Sequence, residues 1–217
     1  MGQFRLIIGD KNLSSWSLRA WLAAKISGLP IEEILIPLDQ AETKQELNKH
    51  SPSAKVPCLI HNELKVWDSL AICEYIAELA PHKKLWPQDK NQRALARAYV
   101  SEMHSGFSSL RSQLSMDIRL RIEVRHLTPQ TVEDIKRVLQ LWTEALEVSK
   151  GPFLFGEFGI ADAFYAPIVL RFISYGVHIQ SPIVEKYMEN VQNYEHVKNW
   201  VEAGKKEKPK LPIFIGK

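Results

Sequence analysis

The chain has 217 residues, 45% of them hydrophobic, enough for one large core or two smaller ones. A formal net charge of only +3 gives no reason to expect nucleic acid or an acidic membrane surface as a partner. No apolar run reaches the length of a membrane span, and two cysteines without a C-x-x-C pair fit a reducing, cytoplasmic setting.

In chain order, residues 4–8 read as an apolar strand that ends at Gly9-Asp10. The stretch Ser14-Ser15-Trp16-Ser17-Leu18-Arg19 then opens a helix carrying Trp21, Leu22 and Ala24, which stops at Ser27-Gly28. Ser14 or Ser15 suits the N-cap of that helix. Hydroxyls at a positive helix end also suit a bound anion. Residues 31–37 form a second strand closed by Pro37, and residues 43–49 a short surface helix. After a turn at Ser51-Pro52-Ser53-Ala54, the segment Lys55-Val56-Pro57 leads into a third strand at 58–60. The turn His61-Asn62-Glu63 joins it to a fourth at 64–67. Asp68-Ser69 caps a helix whose core face is Leu70, Ile72, Cys73, Ile76 and Leu79. The order β-α-β-α-β-β-α predicts an α/β layer, parallel at first and closed by an antiparallel hairpin.

Beyond a linker at 83–90 the strand pattern disappears. Leu95, Tyr99, Met103, Phe107, Leu110 and Leu114 recur at helical spacing and predict one long amphipathic helix. Arg119, Arg121 and Arg125 alternate with apolar residues and predict an exposed helix face; the basic run 205–210 reads as a solvated terminus. Thr128-Pro129 starts a helix with the buried stripe Ile135, Val138, Leu139, Trp142 and Leu146. Residues 160–175 are apolar almost all round and predict the central helix of an all-α half, followed by a last helix over 183–201. The expected division is 1–82, linker 83–90 and 91–217.

Several short motifs carry chemistry. Val56-Pro57 at a strand start is either an ordinary trans proline or a cis one. The cis form leaves the Val56 N–H and C=O free to pair with an extended, peptide-like ligand. Asp68-Ser69 is either a plain cap or a site for the zwitterionic end of an amino acid, Ser69 donating to its carboxylate and Asp68 accepting from its ammonium. Ser14 and Ser17 occupy a C-x-x-C spacing without sulfur, so no redox dithiol is expected there. The seven histidines show no H-E-x-x-H spacing, and no metal site is expected.

Taken together, these motifs resemble those of the soluble glutathione transferases, most closely the zeta class and related bacterial members. The zeta S-S-C-S-x-R stands here as Ser14-Ser15-Trp16-Ser17-Leu18-Arg19. The family's N-P-x-G-K-V-P stands as Ser51-Pro52-Ser53-Ala54-Lys55-Val56-Pro57, and its Glu-Ser or Gln-Ser pair as Asp68-Ser69. Its G-x-x-[ST]-x-A-D is met by Gly156, Ala161 and Asp162, with Gly159 in place of the capping Ser or Thr. Trp16 replaces the cysteine of the zeta motif and adds bulk beside the thiol position, against zeta isomerase activity.

The resemblance implies a thioredoxin-like domain followed by an all-helical C-terminal domain. It also implies a homodimer joined through the helix from Asn91 and the helix after Ser69, and a detoxifying role in the cytoplasm. Glutathione would be the co-substrate, bound by Lys55, Val56, Pro57, Asp68 and Ser69. Ser14 or Ser15 would act on its thiol. In this reading Ser14, at the substrate-facing position of thioredoxin-like folds, faces the thiol, and Ser15 caps the helix. Trp16, His104, Phe107 and Arg111 would line the pocket for a small electrophile. The reaction implied is thiolate attack or glutathione-dependent isomerisation of maleylacetoacetate-isomerase type. The other function class this fold serves is a non-catalytic interaction or stress-regulatory protein.

Overall fold

The computed structural model describes residues 2–207. β1 (Phe4–Ile8), β2 (Ile31–Leu35), β3 (Cys58–His61) and β4 (Leu64–Trp67) form a four-stranded sheet in the order β2-β1-β3-β4. β2 runs parallel to β1 because α1 (Ser15–Ser27) carries the chain back between them. β3 lies antiparallel to β1, and a turn with Asn62 at φ 54 sends β4 back along β3. The strand period of two divides the side chains between two cores. Phe4, Leu6, Ile8 and Leu59 pack with α1 and α3 (Ser69–Leu79), whereas Ile7, Cys58 and Ile60 pack with Leu47 of α2 (Thr43–His50).

After a 3-10 turn at Pro81–Lys83, the chain is helical: α4 (Lys90–Ser105), α5 (Ser108–Gln113), α6 (Pro129–Ser149), α7 (Ile160–Ser174), α8 (Pro182–Asn193) and α9 (Glu195–Lys206). α6 starts as its sequence predicts, with Thr128 Oγ1 accepting from Thr131 N at 3.2 Å and Pro129 in the first turn. α7 is buried on nearly every side and packs against α1, α4 and α8. Its start is fixed by Asp162, whose Oδ2 accepts from Gly159 N at 3.0 Å and whose Oδ1 accepts from Leu154 N at 3.0 Å. Gly159 is required there. A Cβ on it would stand 2.8 Å from the carbonyl oxygen of Leu85, which accepts from Ile160 N.

Three expectations need correction. The single helix over 95–114 is two. A Cβ at Gly106 would lie 2.7 Å from Glu102 O, and Phe107 takes the left-handed region at φ 55, so the chain turns between α4 and α5. Met103, Phe107, Leu110 and Leu114 still enter the core, which is why the periodicity persists through the break, but Leu95 is 50% exposed. The last helix divides at Tyr194, whose extended backbone (ψ 128) accompanies a ring stacked on Phe158 at 3.8 Å. Arg119, Arg121 and Arg125 lie on no helix face. They belong to irregular chain between α5 and α6, whose amides bond other elements: Ile118 N to Asn12 O, Ile122 N to Ser174 O and Val124 N to Tyr175 O. Of the basic tail, Lys208, Pro209 and Lys210 lie outside the described residues.

Candidate active site at the junction of the two halves

Sheet register gathers the motifs. Cys58 pairs with Trp67 and with Ile7, so the residues just before β3, just after β4 and just after β1 meet at one end of the sheet. These are Lys55-Val56-Pro57, Asp68-Ser69 and the loop that enters α1. The Val56–Pro57 peptide bond is cis. Lys55 is exposed, Val56 half-buried and Pro57 buried.

Asp68 caps α3 from the left-handed region, φ 75, with Oδ1 accepting from Leu70 N at 2.8 Å and from Ala71 N at 3.4 Å. Its Oδ2 lies 3.2 Å from Nε2 of His104, on α4. Burial pushes the imidazolium of His104 down in pKa, outweighing the pull of Asp68 upward. The contact is therefore a hydrogen bond donated by a neutral ring, not an ion pair. Ser69 is 1% exposed, and its Oγ has no hydrogen-bond partner among the described residues. It stands at the positive end of α3, where a free hydroxyl donor and the helix dipole favour a carboxylate.

The cap of α1 is the other serine from the one expected. Ser14, not Ser15, is the N-cap of α1: its Oγ accepts from Ser17 N at 3.3 Å and donates to Ser17 Oγ at 2.8 Å. Ser17 Oγ in turn accepts from Gly9 N at 3.0 Å, tying the end of β1 to the helix. Ser15 opens the helix, buried, and its Oγ accepts from Nη2 of Arg171 on α7 at 3.2 Å. The neighbours diverge because consecutive side chains around a helix start point about a quarter-turn or more apart. One faces its own helix, and the other faces the helical half.

Trp16 is half-buried between the halves, its ring edge-on to His104 at 5.3 Å and beneath the guanidinium of Arg111 at 5.5 Å. Arg111 on α5 is half-buried and donates to His104 O at 3.4 Å. Phe107, at the turn between α4 and α5, is 7% exposed and packs in the main core.

Two residues the sequence reading left without a role complete the arrangement. Arg19 is fully buried, stacked against Trp16 at 4.3 Å and Phe164 at 4.9 Å, and none of its three nitrogens has a hydrogen-bond partner among the described residues. Burial first, then Arg111 and Arg171, push its pKa down to about 9, so it remains a cation at neutral pH. Arg171 is 5% exposed and donates to the carbonyls of Arg111 and Leu114 as well as to Ser15. The signal that finds it is a lone cation in the apolar sequence of α7, since arginine is rarely buried without a task.

Profiles of the two glutathione S-transferase domains match the chain, the N-terminal domain over residues 13–79 and the C-terminal domain over 93–203. The chain belongs to the glutathione S-transferase family. It is 27% identical over 190 residues to glutathione S-transferase 1 of Dianthus caryophyllus, covering 85% of this chain and 86% of that one. It is 28% identical over 195 residues to a stringent starvation protein A homologue of Haemophilus ducreyi, covering 85% and 84%. A maleylacetoacetate isomerase of Rattus norvegicus is 27% identical over 160 residues, covering 72% and 73%. Among solved structures, a glutathione transferase homologue from Burkholderia GL BGR1 with bound glutathione superposes with a TM-score of 0.71 at 22% identity, covering 94% of this chain and 99% of that one. That likeness establishes the fold. A small mixed sheet with its helices, followed by an all-helical half, is the transferase architecture.

Proposed function

We propose that this transferase-family chain binds glutathione along the sheet end formed by Val56-Pro57 and Asp68-Ser69, and activates its thiol for attack on a small electrophile. The observation that carries the proposal is the buried Ser69 Oγ, unpartnered among the described residues at the N-terminus of α3. In this reading the Ser69 hydroxyl, at the positive end of α3, holds the γ-glutamyl carboxylate. Asp68 takes the ammonium, and the Val56 main chain pairs with the cysteinyl unit, with Lys55 beside it. The thiol is then directed to the start of α1 and the Ser14-Ser15 pair. A free thiol ionises near pH 8.5, and lowering that by about two units requires about 2.7 kcal/mol of preference for the thiolate. A hydroxyl donor, a helix N-terminus and unpaired guanidiniums together supply an effect of that size.

The electrophile would lie between the halves against Trp16, His104 and Arg111. Trp16 fills the position that the zeta motif gives to cysteine, so attack on an electrophile is favoured over isomerisation of maleylacetoacetate type. A cytoplasmic homodimer with a detoxifying role is the setting that fits. The test is melting temperature with and without glutathione, followed by turnover against a panel of electrophiles. At about one hundred times its Kd, glutathione adds about 2.7 kcal/mol of stability. The resemblance to a stringent starvation protein homologue favours a second reading, a non-catalytic interaction protein. A melting temperature unmoved by tens of millimolar glutathione selects that one.

A further inference from the structure

The charge balance around Ser15 is uneven. Arg171 enters from α7, Arg19 from α1 and Arg111 from α5, with the neutral ring of His104 on α4 beside them. The carboxylate acting on Arg19 is Asp68, whose oxygens already serve the α3 amides and His104, and Asp134 acts on Arg111. Cys73 of α3 and Tyr175 after α7 also act on Arg19 and Arg171, as a thiol and a phenol. Arg171 therefore directs its hydrogen bonds onto neutral oxygens, and its Nε has no partner among the described residues. Buried cations in such a setting favour an anion placed beside them.

A hydroxyl has one proton and two lone pairs. Ser14 uses its proton on Ser17 Oγ and a lone pair on Ser17 N. Ser15 receives an N–H from Arg171 on a lone pair, which leaves its own proton to be donated and, through polarisation by the guanidinium, strengthens that donor.

On the reading that glutathione is the ligand, we infer that Ser15 is the hydroxyl that donates to its thiolate, and that Arg171 is a positioning residue which reaches across from the helical half to aim it. The thiol releases its proton to solvent and keeps the electron pair on sulfur. The thiolate takes the Ser15 hydrogen bond and becomes the anion that Arg19 and Arg171 face. In this arrangement the thiol is activated only when the two halves are docked, since the residue that orients the hydroxyl belongs to α7 and the hydroxyl to α1.

The experiment is a titration of the ultraviolet thiolate absorbance of bound glutathione, with glutathione affinity measured in parallel. The proteins are the wild-type, Ser14→Ala, Ser15→Ala, Arg171→Met, Arg171→Lys and the double variant Ser15→Ala with Arg171→Met. Ser15→Ala and Arg171→Met are each expected to raise the thiol pKa by about one unit, a tenfold loss of thiolate at neutral pH. The double variant is expected to show less than the sum of the two shifts, because the part of the Arg171 effect that passes through the Ser15 hydrogen bond is already lost in Ser15→Ala. Arg171→Lys is expected to recover part of the shift. Affinity for the protonated tripeptide should change less than threefold throughout.

Unchanged thiol pKa in Ser15→Ala, a variant that removes one buried oxygen and leaves the backbone alone, overturns the inference even if Arg171→Met fails to fold. So does a shift confined to Ser14→Ala, or strict additivity in the double variant. Failure of the wild-type protein to bind glutathione is a different result: it removes the functional reading itself, and the inference with it.

Discussion

His104 on α4 reaches Asp68 at the start of α3, Nε2 to Oδ2 at 3.2 Å, and this hydrogen bond joins the two halves at the edge of the site. Its pH dependence has a definite sign. Burial holds the pKa of His104 below its ordinary 6.5, so the unfolded chain binds the proton more readily than the folded one. The contribution of His104 to stability is complete above pH 6.5 and falls as the pH drops through the folded value. His196, also lowered by burial, shares the slope. Urea melts at about pH 7.5 and about pH 5.5 should therefore show a larger loss for wild-type than for His104→Gln. Equal losses would mean that His104 is charged in the folded protein.

The capping carboxylate of α7 is the strongest stability prediction. Asp162 is buried and accepts from Leu154 N and Gly159 N; Asp162→Ala leaves both amides without it and should cost about 3 kcal/mol at neutral pH. Asp162→Asn keeps an acceptor and should cost less. Burial pushes the Asp162 pKa up to about 6, above its unfolded value of 3.8. The folded state holds that proton more tightly, so wild-type loses stability as pH rises through about 6, and the gap to Asp162→Asn narrows over the same range. A gap independent of pH would place the carboxylate in a better-solvated setting than the structure gives it.

Gly159→Ala drives a methyl group to 2.8 Å from Leu85 O, a backbone atom that cannot swing aside. The expected loss is about 2 kcal/mol, read from denaturant midpoints. In the sequence motif Gly159 stands in place of a capping Ser or Thr. The close approach of Leu85 O shows why a side chain does not fit here.

The loop ahead of α1 is held from the C-terminal side. Lys11 N and Asn12 N donate to the Glu207 carboxylate at 2.6 and 3.0 Å, and Trp200 Nε1 donates to Lys11 O at 2.8 Å. Glu207→Ala should cost about 2 kcal/mol, since two charge-assisted bonds are lost. Amide hydrogen exchange at Lys11 and Asn12 should accelerate in the variant. Unchanged exchange would show that the loop is held without Glu207.

What the sequence makes legible follows from how local each signal is. The sheet half can be read because its strands are short, alternate with helices and end at Gly, Pro or Asn, each cue lying within a few residues. Thr128-Pro129 can be read for the same reason. The break at Gly106-Phe107 cannot, because Met103, Phe107, Leu110 and Leu114 all reach one core and keep a continuous helical period across the turn. The irregular segment carrying Arg119 depends on acceptors such as Asn12 O, far away along the chain. The serines show the same limit. Either could cap α1 by local rules, and what separates them is Arg171, 156 positions further on.

Glutathione binding at Ser69 tests the central claim most directly. Calorimetric titration of glutathione into wild-type protein and into Ser69→Ala compares a buried hydroxyl, unpartnered among the described residues, with a methyl group that leaves the fold unchanged. Saturable binding by wild-type, weakened about tenfold or more in Ser69→Ala, is the result expected when a hydrogen bond to a charged group is lost. Absence of binding by wild-type protein, or equal affinity in the two proteins, would contradict a γ-glutamyl carboxylate held at the start of α3.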